Sequence, residues 1–231
     1  MITKPAQVML VMAHPDDPEF GAAGTTARWV REGKDVIDIV CTNGNKGTSD
    51  INMKSEELAK IREQEQLAAA KVLGVREVIF LRHPDQELEE TAEFRKDLVR
   101  LIRMYRPDIV LTHDPYRRYI GHRDHRITGQ VTLDAIFPYA RDLLAYPDLL
   151  EEGLQPHKVK EVWLSGSDEP NYCSNITDTF DIKIAAIRCH KSQGVGSSPE
   201  RIEQMRQRAR VMAKGADYEL AEAFHRVEIL R

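Results

Sequence analysis

Short apolar segments alternate with longer amphipathic segments along the first half of the chain. The apolar segments have the length and composition of buried strands, and the amphipathic ones repeat their apolar residues with helical spacing. The pattern predicts strands at 8–13, 35–41, 78–81 and 109–112, and helices at 20–32, 55–73 and 92–105. Strands that are separated by single helices pair in parallel through right-handed crossovers. We therefore expect a parallel sheet covered by helices.

The second half of the chain has a weaker pattern. It predicts helices at 124–137, 179–189 and 199–214, a strand at 159–164, a loop at 165–175 and a last, edge strand at 227–230. No internal repeat, low-complexity tract or long linker divides the sequence, and 231 residues fit one domain. We expect residues 1–231 to form a single α/β domain with a Rossmann-like, mostly parallel sheet and helices on both faces.

Composition narrows the class of protein. Hydrophobic residues make up 42% of the chain and charged residues 30%, which is ordinary for a globular protein. The formal net charge of -4 gives no electrostatic basis for binding nucleic acid. No apolar run reaches the length of a membrane span, and we see no secretory signal. The 3 cysteines have no metal-binding pair spacing and are odd in number, so we expect reduced thiols in a cytoplasmic protein.

Histidines and carboxylates collect after two of the predicted strands. The first strand runs into His-Pro-Asp-Asp at 14–17, and His-Arg-Asp-His at 122–125 follows the fourth. Because the carboxyl ends of parallel strands meet at one sheet edge, the two segments can form one site. Imidazole and carboxylate groups are zinc ligands, and three such ligands leave a position for water. An Asp pair also commonly begins a helix, and histidines there can simply be solvated, so this structural interpretation stays open.

With these motifs the sequence resembles the PIG-L/LmbE-like family of zinc-dependent N-deacetylases. The resemblance rests on Ala-His-Pro-Asp-Asp at 13–17 and His-x-Asp-His at 122–125, with further similarity at 42–44, 46–47, 84–85 and 183–193. One departure is Pro18, which separates the Asp pair from Glu19, whereas many members place glutamate directly after the pair. The resemblance implies removal of acyl groups, usually acetyl, from amino sugars and their conjugates.

The resemblance assigns His14, Asp17 and His125 as ligands of a zinc ion. Two imidazoles and one carboxylate suit zinc and leave open positions for water and a carbonyl oxygen. Zinc lowers the pKa of bound water to about 7, so hydroxide is available at neutral pH. Affinity alone does not select the metal, and another divalent ion such as Fe2+ is the alternative.

Three further residues match the catalytic positions of the family. Asp16 matches the general base that takes the proton of the attacking water. A protonated His122 matches the histidine that donates to the oxyanion, and Asp124 matches the carboxylate that orients this histidine. The leaving amine must be protonated; Asp16 is the economical proton source, and His122 is the alternative.

Substrate contacts are implied for Arg62, Asp85 and His190, and each has a structural alternative. Arg62 lies on the long second predicted helix, Asp85 follows the third strand, and His190 belongs to the late similar segment. The alternatives are an exposed helical arginine, an anchor for a turn and a surface histidine.

The sequence thus predicts a zinc-dependent hydrolase that removes an N-acetyl or other N-acyl group from a small-molecule amino sugar or its conjugate. A deacetylase or amidase of thiol-sugar conjugates is the alternative within this class. Two alternatives lie outside this class: a non-catalytic metal-binding domain and a nucleotide-binding oxidoreductase. The first turn opposes nucleotide binding, because it lacks G-x-G-x-x-G and carries carboxylates that repel phosphate. Because family members often form trimers or hexamers, a homo-oligomer is also expected, without nucleic-acid or membrane partners.

Overall fold

The computed structural model describes residues 4–194 and 198–229. Its elements in chain order are β1 (Val8–Met12), α1 (Asp17–Arg31), β2 (Val36–Thr42), α2 (Ser55–Leu73), β3 (Glu77–His83), α3 (Ala92–Tyr105), β4 (Ile109–His113), α4 (Arg123–Asp134), α5 (Pro147–Glu151), β5 (Glu161–Ser165), β6 (Tyr172–Asn175), α6 (Phe180–Ile187), α7 (Pro199–Met212) and β7 (Ala221–Glu228), with a π-helical turn at Ala135–Tyr139 and 3-10 turns at Thr177–Thr179 and Lys191–Gln193. Among these helices, none has both the length and the apolar character needed to cross a membrane.

The strands form one mixed sheet in the order β3-β2-β1-β4-β5-β7-β6. Strands β3, β2, β1, β4 and β5 are parallel, and β7 is antiparallel to both β5 and β6. The strand order reverses between β1 and β4, and such a switch point opens a crevice at the carboxyl ends of the two strands. His14 follows β1 and His113 ends β4, so both lie at this crevice.

Strand β1 lies between two apolar layers. Its Met9 and Val11 pack in one cluster with residues of α3, whereas Leu10 and Met12 pack in another with Trp29 of α1. A central strand of a parallel sheet is buried on both faces, which explains the continuous apolar sequence of β1. The α/β fold with a mostly parallel sheet and helices on both faces is confirmed.

Two strand predictions for the second half are wrong. The segment 165–175, predicted to be a loop, contains β6. The last strand, predicted at 227–230, starts at Ala221 and is not an edge strand, because β7 lies between β5 and β6. Its predicted end at 230 lies outside the described residues. The sequence of β6, Tyr-Cys-Ser-Asn, has no apolar alternation, so its extended form depends on pairing with β7.

The helix predicted at 124–137 is shorter than expected. Helix α4 ends at Asp134, and the following π-helical turn contains Pro138 together with Phe137 in a non-helical conformation, φ -143° and ψ 119°. The residue before a proline avoids the helical region, so Phe137 leaves the helix.

Helix α4 packs closely on the end of β4 because residue 129 is a glycine. A Cβ atom on Gly129 would lie 2.4 Å from the carbonyl oxygen of His113 and 3.0 Å from Cδ of Pro115. This close approach brings the first turn of α4, which carries Asp124 and His125, to the crevice between β1 and β4.

Candidate metal and active site

The three predicted metal ligands lie side by side, with each histidine next to a different oxygen of the Asp17 carboxylate. His14 Nδ1 lies 3.1 Å from Asp17 Oδ2 and 3.2 Å from His125 Nε2, and His125 Nε2 lies 3.2 Å from Asp17 Oδ1. A tetrahedral zinc ion with bonds of about 2.0–2.1 Å places its ligand atoms roughly 3.3 Å apart. The spacing and the chemistry of the donor set therefore fit a zinc ion bound by this triad.

Local structure brings these side chains together. β1 ends in the loop that carries His14, and α1 begins at Asp17, whose Oδ2 accepts a 2.7 Å hydrogen bond from the backbone N–H of His14. His125 lies in the first turn of α4, and His122 precedes that helix as its N-cap. The sequence prediction that the two motifs meet at one sheet edge agrees with this arrangement.

Three carboxylates surround the His14 imidazole. Its Nε2 lies 3.1 Å from Asp85 Oδ1 and 3.2 Å from Asp124 Oδ2, on the side of the ring away from the triad. Burial opposes protonation of His14, yet hydrogen bonds to Asp124, Asp17 and Asp85 raise its pKa to about 12. The site thus strongly favours positive charge. With Nε2–H donating to a carboxylate, Nδ1 is left to bind a metal, the usual arrangement of metal-bound histidine.

The contacts of Asp124 differ from the prediction. Its carboxylate was expected to orient His122, but Oδ2 instead contacts His14 and accepts a 2.6 Å hydrogen bond from the backbone N–H of Gln86. The hydrogen bond between His122 and Asp124 involves the backbone instead: His122 Nδ1 accepts the N–H of Asp124 at 3.2 Å. The reason is geometric, because the N-cap position directs the His122 ring toward the helix backbone.

His113 supports the triad from β4. Its ring stacks on that of His125 with centroids 3.9 Å apart and an interplanar angle of 6°. Although His113 Nε2 lies 3.3 Å from Asp17 Oδ2, it accepts the backbone N–H of Ala13 at 3.1 Å. Its lone pair is therefore engaged by the backbone, and we interpret His113 as a support for the triad rather than a fourth ligand.

Asp16 has an unusual backbone conformation next to the triad. Its φ is 99°, which non-glycine residues rarely adopt and which costs about 1–3 kcal/mol. Its N–H donates to Gln66 Oε1 at 2.9 Å, and its Oδ2 lies 3.2 Å from Arg62 Nη2. Burial and the adjacent Asp17 carboxylate raise the pKa of Asp16 to about 7, although Arg62 opposes the shift. A pKa near the operating pH suits a general base.

Arg62 holds the loops around Asp16. Its side chain donates to the carbonyl oxygens of Gly44, at 2.9 Å, and of Pro15. A Cβ atom on Gly44 would lie 2.5 Å from Arg62 Nη1, and one on Gly47 would lie 2.8 Å from the same atom. The glycines of the family-like segments at 42–44 and 46–47 thus make room for this guanidinium.

A buried hydrogen-bonded chain connects Asp16 to the end of helix α6. Gln66 Nε2 donates to Glu19 Oε1 at 3.0 Å, and Glu19 Oε2 lies 2.9 Å from His190 Nε2. Gln66 was not among the predicted site residues, although its position four residues after Arg62 places both on one face of α2. Glu19, which Pro18 separates from the Asp pair, is the central member of this chain.

The three residues expected to contact substrate do not face solvent. Arg62, Asp85 and His190 are 3%, 3% and 1% exposed, and each is bonded within the protein. Burial contradicts two of the alternatives, since Arg62 is not an exposed helical arginine and His190 is not a surface histidine. The alternative for Asp85, an anchor for a turn, agrees with the hydrogen bond that its carboxylate accepts from the backbone N–H of Lys46. A direct contact of any of them with substrate stays a prediction.

A cavity of about 420 Å³ opens beside the triad. Asp17, His122 and His125 form part of its wall, and residues of α1, α4, α7 and the loops after β4 and β5 form the rest. This volume is typical of small-molecule sites. The triad thus has one side bonded to the protein interior and one side open to a ligand.

The sequence matches the family described as PIG-L: GlcNAc-PI de-N-acetylase over residues 9–136, and the chain belongs to this family. It is 37% identical over 187 residues to the diacetylchitobiose deacetylase of Thermococcus kodakarensis, a match that covers 81% of this chain and 70% of the relative. It is 31% identical over 191 residues to the mycothiol S-conjugate amidase of Streptomyces coelicolor, covering 73% and 64% of the two chains.

A solved structure supports the same relationship. The N,N'-diacetylchitobiose deacetylase of Pyrococcus horikoshii, complexed with its inhibitor MPG, superposes with a TM-score of 0.87 at 32% identity and covers 96% of this chain and 84% of that one. The predicted family and the predicted class of enzyme, a deacetylase that hydrolyses amide bonds, are confirmed by these relationships. The oxidoreductase alternative receives no support from them.

Proposed function

We propose that this protein is a zinc-dependent N-deacetylase of an N-acylated amino sugar or of a conjugate of one. The observation that carries the proposal is the close approach of His14, Asp17 and His125, whose nitrogen and carboxylate oxygen atoms lie 3.1–3.2 Å apart beside an open cavity. The relatives named for diacetylchitobiose and for a mycothiol conjugate support the substrate class.

Different residues of the site can carry out different steps of amide hydrolysis. When bound, zinc would lower the pKa of a water molecule and polarise the acyl carbonyl group. Asp16 takes a proton from the attacking water and returns it to the nitrogen of the leaving amine. Arg62 and Gln66 hold Asp16 in the conformation that directs its carboxylate to the site.

His122 is suited to donate a hydrogen bond to the carbonyl oxygen as negative charge develops there. Because its Nδ1 accepts the N–H of Asp124, the neutral ring carries its proton on Nε2. Burial, with the neighbouring His14 and His125, lowers the pKa of His122. We therefore propose a neutral imidazole as donor, in place of the protonated one expected from the sequence. Loss of one such donor typically costs about 100- to 1000-fold in rate.

Acetate release would test the proposed function. Zinc-loaded and chelator-stripped protein would be incubated with N-acetylglucosamine, diacetylchitobiose and cysteinyl conjugates of acetylated sugars. Zinc-dependent release from any of them supports the proposal, and reloading with Fe2+ under anaerobic conditions compares the two metals. Stoichiometric zinc without release of acyl groups from any compound would favour a non-catalytic metal-binding domain.

Asp124→Asn is expected to weaken metal binding about 10-fold, the lower end of the usual cost of removing a partner of a ligating histidine, because Asp85 Oδ1 stays 3.1 Å from the same nitrogen. The change removes the negative charge that His14 Nε2 contacts at 3.2 Å. Competition with a chromogenic chelator would measure the metal Kd. Asp134→Asn is the matched control, since Asp134 lies on the same helix and accepts from Gln130. An unchanged Kd with a reduced kcat would instead support orientation of His122 by Asp124.

The remaining expectations concern the whole protein. We propose that residues 1–231 form one deacetylase domain and that the protein acts in the cytoplasm, where its free cysteines Cys41, Cys173 and Cys189 stay reduced. A trimer or hexamer stays the expectation from the family resemblance. Light scattering coupled to gel filtration would measure the assembly directly.

A further inference from the structure

Three arginines from three separate elements line the cavity beside the triad. Arg117 lies in the segment between β4 and α4, Arg126 lies on α4, and Arg208 lies on α7. They are far apart in sequence, so their common cavity is a consequence of the fold rather than of a helical repeat. The same cavity contains Asp17 and His125 of the triad.

These guanidinium groups have little compensation from carboxylates. Among the described residues, neither Arg126 nor Arg208 forms a side-chain hydrogen bond or an ion pair, and Arg117 Nε is 3.9 Å from the Asp168 carboxylate. Neighbouring Arg118, by contrast, forms an ion pair with Glu169.

The carboxylates of the cavity itself are already engaged. Asp17 lies among the imidazoles of the triad, and Asp114 Oδ1 accepts the backbone N–H of Tyr116 at 2.8 Å. The protein as a whole has a net charge of -4, so the positive cavity does not reflect general basicity. The three guanidinium groups therefore outnumber the two carboxylates of the cavity wall, Asp17 and Asp114.

We propose that the substrate carries an anionic group, a carboxylate or a phosphate, which binds to Arg126 and Arg208 while its N-acyl group lies at the triad. This inference rests on the proposed deacetylase function and specifies its substrate as an acidic N-acylated amino sugar. Guanidinium groups bind both anions through paired, charge-assisted hydrogen bonds. Arg117 adds longer-range attraction, which salt screens because the three side chains reach solvent.

The test compares kcat/KM for a neutral substrate with that for acidic ones. N-acetylglucosamine is the neutral compound, its 1- and 6-phosphates are the phosphate arms, and N-acetylmuramic acid is the carboxylate arm. We expect at least one acidic compound to be preferred by roughly 10- to 100-fold, the effect of one or two hydrogen bonds to a charged group. The preferred arm identifies the anion, and its advantage decreases as salt increases.

Variants of the cavity arginines test whether these residues cause the preference for acidic compounds. In the double variant Arg126→Gln and Arg208→Gln, the ratio of acidic to neutral kcat/KM is expected to approach one. Arg210→Gln is the matched control: Arg210 lies on α7 like Arg208, but it pairs with Glu203 and does not line the cavity. It should keep the preference of the unaltered protein.

The outcomes separate this inference from the proposed function. Two results would contradict the proposal of an anionic substrate without contradicting the deacetylase function. One is zinc-dependent hydrolysis with equal kcat/KM for neutral and acidic compounds, and the other is an unchanged ratio of these values in the double variant. If no compound is hydrolysed, binding is measured by calorimetry with the zinc-loaded protein. The anion site is supported if N-acetylglucosamine 6-phosphate binds more tightly than N-acetylglucosamine and if this difference is lost in the double variant. Equal binding of the two compounds overturns it.

Discussion

Asp16→Asn is expected to lower kcat by about 10²- to 10⁴-fold, the usual contribution of a general base, while the protein keeps its metal. Asparagine has nearly the same shape but cannot accept a proton at neutral pH. It also tolerates positive φ better than most residues, so the backbone at φ 99° is preserved. The substitution leaves His14, Asp17 and His125 unaltered, so bound zinc should stay stoichiometric. Steady-state kinetics together with elemental analysis would measure both quantities.

The control for this prediction is Asp97→Asn, which removes an exposed carboxylate from α3 and should change neither quantity. Undiminished kcat in Asp16→Asn would contradict the assigned base. The pH profile adds a second measurement, because only the carboxylate form of Asp16 accepts a proton. Burial and Asp17 raise the pKa of Asp16 to about 7, and a bound cation lowers it. We therefore expect kcat/KM to decrease on the acidic side, at or below neutral pH.

The first half of the fold was predictable because its signals are local. The continuous apolar run of β1 reflects burial on both faces, and Gly74, at φ 76°, ends α2 where the sequence predicts. The second half depends on pairing between distant segments, which periodicity does not record. β6 is the clearest example, since only its ladder with β7 makes Tyr172–Asn175 a strand.

The candidate site, like the fold, could be predicted only in part from the sequence. The meeting of His14 with the 122–125 motif could be predicted from the positions of the strand ends, because parallel strands place their carboxyl ends together. The partner of Asp124 was not predictable, since it depends on the conformation of the loop after β3. In that loop Gln86 has φ 66° and directs its N–H at Asp124 Oδ2. The Asp124 carboxylate lies near two histidines, and no pattern in the sequence indicates which of them it contacts.

Burial contradicts the exposed positions that were the structural alternatives for Arg62 and His190. Arg62 looked like a substrate-binding or exposed side chain, but its hydrogen bonds to Gly44 and Pro15 make it part of the interior around Asp16. A charged side chain is stable there because its bonds replace water. The same logic explains His190, which is paired with Glu19 and buried. Residues that resemble a family motif can thus act on the site through other residues.

Gly129→Ala is expected to destabilise the protein by about 1–3 kcal/mol and to weaken metal binding, because overpacking forces the surrounding structure to move. The new Cβ would lie 2.4 Å from the His113 carbonyl oxygen, a backbone atom that cannot rotate away, so α4 must shift from β4. That shift moves Asp124 and His125 together, and it affects the arrangement of the ligands and the contact to His14 at once. Alanine's better helix propensity offsets only part of the cost.

Thermal unfolding and the zinc Kd measure these two effects of Gly129→Ala. Gly21→Ala is the comparison, because its Cβ would meet side-chain atoms only, Met12 Cε at 3.2 Å and Ser165 Oγ at 3.4 Å, which can adjust. A smaller loss of stability is expected there. If Gly129→Ala retained both its melting temperature and its zinc affinity, the close contact of α4 with β4 would not be what positions His125. If stability fell but zinc affinity did not, the helix would move without displacing its first turn, and the ligand position would depend on the bonds of Asp124 instead.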